Sequence, residues 1–129
     1  MKILHILTTF LLGTSLIYTS ACHKKSSAPT VSITSPAADE QFANDLVIKM
    51  KGEIGDADGL HALTITITDD KTGAVLFTKS PAVHDLTTYT FGESWVAKVT
   101  DWTDATVTVT AENHDGGVTT KKVKIKIWF

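Results

Sequence analysis

The chain has 129 residues, 43% of them hydrophobic, with 12 lysines, no arginine and 14 acidic residues, giving a formal net charge of −2. A single cysteine rules out a disulfide within the chain, and without arginine there is no guanidinium fork for phosphates and base edges, which argues against a nucleic-acid partner. A chain of this size holds one hydrophobic core rather than two.

In chain order, Lys2 comes first, then an apolar run from Ile3 through Phe10-Leu11-Leu12 to Ile17-Tyr18, then Ser20-Ala21 and Cys22. A basic start, an apolar middle and a small-residue cut are the parts of a secretory signal. The stretch is too short and too rich in Thr and Ser to span a bilayer comfortably. A cysteine at the cut resembles the lipobox of bacterial lipoproteins, in the relaxed form familiar in the Bacteroidota, with Thr19 where the pattern prefers Leu. The resemblance implies that residues 1–21 are a cleaved signal peptide. Cys22 then becomes the lipid-bearing mature N-terminus, and the membrane is a partner through that lipid. Residues 22–29, with His23-Lys24-Lys25 and a closing Pro29, read as a flexible tether. Many surface lipoproteins of that group carry an acidic run here. The basic run implies an outer-membrane protein facing the periplasm.

From Thr30 onward apolar residues alternate with polar ones, the pattern of strands with one buried face. Val31 and Ile33 form the first run, stopped by Ser35-Pro36. Leu46, Ile48, Met50 and Ile54 form the second, and Leu63, Ile65 and Ile67 the third. Val75 and Phe77 come next, then Tyr89, Phe91 and Trp95. Val107, Val109 and Ala111 follow, and Val123, Ile125, Ile127 and Phe129 complete the series. Threonine on the intervening positions suits a pleated surface. Asp56-Ala57-Asp58-Gly59, Asp70-Lys71-Thr72-Gly73 and Asn113-His114-Asp115-Gly116-Gly117 are turn clusters. No segment after the tether repeats near 3.6. About seven short strands with regular turns predict an all-β, antiparallel sandwich over residues 30–129.

The run from Pro29 to Pro36, the stretch from Gly52 to Gly59, and the run from Val107 to Gly116 resemble bacterial immunoglobulin-like domains. With the lipobox, the whole is similar to short, uncharacterised, single-domain lipoproteins of the Bacteroidota. Such motifs specify a fold and no activity.

Asp56, Asp58, Asn113 and Asp115 belong to two loops that an immunoglobulin-like sandwich places at one end. Oxygen-rich loops of this kind can hold calcium, and the same residue types also make turns by bonding their own backbone. His61, His84 and His114 lie in different segments without the spacing of zinc ligands. His61 and His114 are placed to approach one another, and all three read as surface or half-buried histidines. Lys122, Lys124 and Lys126 form a stripe that deters edge pairing. Trp128 shares their parity, and as an outward indole near a chain end it is either a contact point or a cover for the sandwich bottom, whereas Trp95 and Trp102 read as core and corner residues.

No nucleophile elbow or other catalytic constellation is present, and a minimal sandwich leaves little room for a deep pocket. The expected function is therefore non-catalytic: a membrane-anchored binding or scaffolding module of the cell envelope, with an envelope protein or glycan as partner. Calcium or small-ligand binding through the Asp-rich loops is the alternative. The tether enters at the end carrying the Asp56 and Asp115 loops. The far end, with Asp70, the Trp102 region, Trp128 and Phe129, is then the partner surface.

Overall fold

Period-two alternation puts the chain into two packed sheets. The computed structural model describes residues 27–129, so the signal segment, Cys22 and the first part of the tether lie outside the described residues. The described residues form eight strands and no helix: β1 (Thr30–Ser35), β2 (Glu40–Ala43), β3 (Val47–Gly55), β4 (Leu60–Asp69), β5 (Val75–Lys79), β6 (Thr88–Val96), β7 (Thr103–Asn113) and β8 (Val118–Trp128). One sheet has the order β1-β3-β6 and the other β2-β8-β7-β4-β5. All pairings are antiparallel except β2 with β8, where Glu40 to Ala43 run parallel beside Ile125 to Trp128. The first stretch of chain thus serves both sheets, with Pro36 between its two halves. This is an immunoglobulin-like sandwich.

The core lies between the sheets. Ile48, Met50 and Ile54 of β3 and Phe91 of β6 meet Leu63, Ile65 and Ile67 of β4, Val107 and Val109 of β7, and Ile125 and Ile127 of β8, all at most 1% exposed. Each such side chain contributes about 1.5–3 kcal/mol through burial. Of the two apolar residues of the first run, Val31 is buried and Ile33 is half-buried, where β1 bulges between Ile33 and Ser35. Leu46 and Val75 belong to apolar runs but stand exposed at strand starts. Gly52 sits where β1 and β6 crowd β3, and a Cβ there would overlap the Ser32 carbonyl oxygen and the Phe91 ring.

Two sequence expectations change. An eighth strand, β2, is added. It has four residues and no clean alternation, so it gives no periodic signal. Because β2 pairs with β8 only from Ile125 to Trp128, the lysine stripe lies on a free edge only in part, with Lys126 inside the paired stretch and Lys122 outside it. Lys122, Lys124 and Lys126 are solvent-facing residues of that strand.

The strands give the domain two ends. One carries the chain entry, the β3–β4 turn, the β5–β6 connection and the β7–β8 turn, held together by bonds from Asp56 N–H to the Thr87 carbonyl and from Leu60 N–H to the Leu86 carbonyl. The other carries the β2–β3 and β4–β5 turns, the β6–β7 connection and the end of β8, tied by bonds from Asp70 N–H to the Asp104 carbonyl and from Asn44 N–H to the Trp128 carbonyl.

Candidate functional site

Three segments that share no sequence neighbourhood each bring a histidine to the entry end. His61 lies at a β-bulge. Leu60 pairs with Asn113 and Ala62 with Glu112, so one residue of β4 is extra. A bulge re-aims the side chain it carries. His84 comes from the β5–β6 connection, which is stitched to the start of β4 by Asp85 N–H donating to the Leu60 carbonyl at 2.9 Å. That bond holds Asp85 at φ 67°, in the left-handed region, where Asp is better tolerated than most residues. His114 follows β7 in the tight turn before β8. Its ring lies over Gly59, a glycine at φ 98°, with the ideal Cβ position 3.5 Å from His114 Cδ2.

The three rings meet edge to face. Ring centroids are 5.4 Å apart for His61 and His84, 5.3 Å for His61 and His114, and 4.7 Å for His84 and His114. One nitrogen from each ring lies within 4.8 Å of the others. Imidazoles bound tetrahedrally to one zinc ion, at about 2.0–2.1 Å, place their nitrogens roughly 3.3 Å apart. The rings are exposed, so small side-chain rotations close that gap. Among the described residues this is the one group of three or more His, Cys, Asp or Glu side chains with metal-holding geometry.

Asp85 sits between two of the rings. His84 Nδ1 lies 3.0 Å from Oδ2 and His114 Nε2 lies 2.9 Å from Oδ1. The hydrogen bond from His84, reinforced by that from His114, holds the Asp85 carboxyl below the usual carboxylate range. A carboxylate bonded to an imidazole fixes the ring's orientation and raises its basicity. It is also itself an acceptable oxygen ligand for zinc.

In the Asp-rich loops, two of the four candidate calcium ligands are engaged within the protein. Asp56 and Asn113 do come together, but they bond to each other and to the backbone. Asn113 Nδ2 donates to Asp56 Oδ2 at 3.0 Å and to the Ser27 carbonyl at 3.0 Å, and Gly117 N–H donates to Asn113 Oδ1 at 2.7 Å. Asp58 N–H donates to Asp56 Oδ1 at 2.9 Å. Asp56 and Asn113 are buried, while Asp58 and Asp115 are exposed. Asp56 and Asn113 clamp the chain entry to two turns. The amide at position 113 can donate where a second carboxylate could not.

At the far end an open cleft of about 600 Å³ lies between the β4–β5 turn and the β6–β7 connection. It exceeds what a minimal sandwich was expected to leave. Trp102, expected at a corner of the core, is 69% exposed on its rim, while Trp95 packs partly against the core. Trp128 is outward as expected, at 43% exposure. Asp70 is engaged within the protein rather than presented. Its carboxylate accepts from Thr106 Oγ1 at 2.6 Å and from Lys124 Nζ at 2.7 Å.

His84 was the hidden member of the cluster. His61 and His114 flank paired strands, so their approach follows from hairpin logic. His84 joins them only through the path of a connection with no periodic signal. A Gly at 59 and an Asp next to His84 are the only local marks.

No protein-family profile matches the chain, and no curated protein matches it in sequence. Solved structures are similar in fold. A superoxide reductase (neelaredoxin) from Ignicoccus hospitalis superposes with a TM-score of 0.51 at 11% identity, over 81% of this chain and 82% of that one. Fibronectin(III)-like modules of CbhA from Clostridium thermocellum give 0.49 at 20% identity over 79% of this chain, which spans 46% of theirs. CopC from Methylosinus trichosporium OB3b gives 0.46 at 17%, over 77% of this chain and 94% of that one. At these identities the likeness concerns the fold.

Proposed function

We propose that this domain is a non-catalytic metal-binding module, tethered to the cell envelope through lipid on Cys22, and that His61, His84 and His114 hold a divalent transition ion. The convergence of three imidazoles from three separate segments carries this reading. Imidazole selects zinc, copper, nickel and iron over calcium and magnesium. Asp85 orients two of the rings. The rings face solvent, so ions enter and leave without opening the sandwich. An accessible site of this kind suits capture and release of an ion rather than structural stapling.

Titration calorimetry with zinc and with copper(II) tests the proposal on the mature domain. One ion per chain is expected. His84→Ala and His114→Ala should each weaken binding by tenfold or more, while Asp58→Asn leaves it unchanged. Binding that survives loss of all three histidines would refute it. The same domain titrated with calcium should give no heat from the Asp56 and Asp115 loops.

A further inference from the structure

The far-end cleft is a second site that the metal reading leaves unused. We infer that it binds a neutral oligosaccharide, with Trp102 as the stacking platform. β7 has eleven residues and runs from just after Trp102 to just before His114. The two sites are therefore separated by about 35 Å of strand, at about 3.3 Å per residue.

Three observations carry the inference. The first is the indole. The Trp102 backbone is bonded locally, with its N–H donating to Asp101 Oδ1 at 2.7 Å and the neighbouring Thr103 hydroxyl donating to the Asp101 carbonyl at 3.0 Å, just ahead of β7. Its side chain nonetheless stays 69% exposed. An exposed indole is a flat apolar surface with a polar edge. The axial C–H face of an equatorially substituted pyranose matches such a surface.

The second is the composition of the lining. Leu76 and Val99 supply an apolar floor, while Asp69, Asp101, Asp104 and Thr100 surround it with hydroxyl-bonding groups. Ligand sites commonly combine an apolar wall with a few placed polar groups in a volume of about 300–1,000 Å³. Two of these carboxylates, Asp69 and Asp101, are held by backbone N–H groups. Asp69 Oδ1 accepts from Lys71 N–H at 2.7 Å and Thr72 N–H at 3.1 Å, which leads a set of bonds holding its carboxyl below the usual range. Ionised carboxylates are acceptors only, and sugar hydroxyls are donors that suit them.

The third is charge. Four aspartates line the cleft, Asp69, Asp70, Asp101 and Asp104, against two lysines, Lys71 and Lys98. Lys98 is already paired with Asp45 and Asp70 with Lys124. Uronate, sulfate and phosphate groups would be repelled, so among glycans the charge favours neutral chains.

The test uses the intact mature domain with cellohexaose, xylohexaose and N-acetylchitohexaose as probes, and tetragalacturonate as the charged comparison. Trp102 is the most exposed of the three tryptophans, so binding should shift indole emission to the blue and protect it from acrylamide. Trp102→Ala should weaken binding roughly tenfold or more, as loss of a central aromatic anchor does, and Trp102→Tyr should restore part of it. His84→Ala should have no effect. Silence from all three neutral hexaoses at millimolar concentration would overturn the inference, as would equal binding of tetragalacturonate. So would sugar binding that ignores Trp102→Ala. Loss of an envelope protein partner in Trp102→Ala, with every sugar silent, would reassign the cleft to protein recognition.

Discussion

Two residues show how local chemistry shapes the sandwich. Gly52 is required for close approach, since any Cβ meets the Ser32 carbonyl and the Phe91 ring. Gly52→Ala should destabilise the domain by about 1–3 kcal/mol, the usual cost of overpacking, read as a fall in the urea midpoint. Asn113 is a junction, 1% exposed, that bonds Asp56, Ser27 and Gly117 together. Asn113→Ala strips one oxygen of a buried carboxylate of its partner and should cost about 1–3 kcal/mol. Asn113→Asp should cost at least as much, because it sets a second carboxylate against Asp56. That position looks like a metal ligand in sequence, and the direction of its hydrogen bonds, which no sequence pattern carries, makes it a clamp.

Among the elements, the β4–β5 turn and β8 are joined by charge. Burial of Asp70 works against its ionised form, and the bonds from Lys124 and Thr106 outweigh it, so the carboxyl titrates below its ordinary value. A carboxyl with a lowered folded pKa stabilises the protein fully above the pKa of the unfolded chain, and that stabilisation fades as pH falls through the folded value. Wild type should therefore lose stability as pH drops below about 4, and Asp70→Asn should lose less over that window. Urea midpoints at pH 5 and in the acid range measure the difference. Lys124→Ala at neutral pH should cost at most about 1 kcal/mol, because the ammonium is exposed and water screens the pair. The alternation that made β3, β4, β7 and β8 readable comes from one wet and one dry face. β2 has only four residues, and its place is set by pairing with a strand more than eighty positions away.

At the scale of the molecule, the sandwich was legible because its interior is written in period two. Ile65 and Val109, opposite each other on β4 and β7, are both fully buried. Ile65→Ala should cost about 2–5 kcal/mol, measured by chemical denaturation. The ends were less legible, because loops converge through topology rather than through spacing, and this applies equally to His84 and Trp102. The structure orders the chain entry beside the metal candidate, through the Asn113 bond to Ser27. If Cys22 carries lipid, the histidines face the membrane and the Trp102 cleft faces away. Cys22→Ser should release the protein from the membrane fraction or leave it unprocessed, and the intact mass of the extracted protein decides between cleavage at Cys22 and elsewhere.

Imidazole ¹⁵N correlation spectra during a zinc titration test the central claim most directly. The account predicts that the ring signals of His61, His84 and His114 shift together and saturate at one equivalent, and that His23 stays where it is. Signals that move independently, or a saturation point far above one ion per chain, would contradict a shared site.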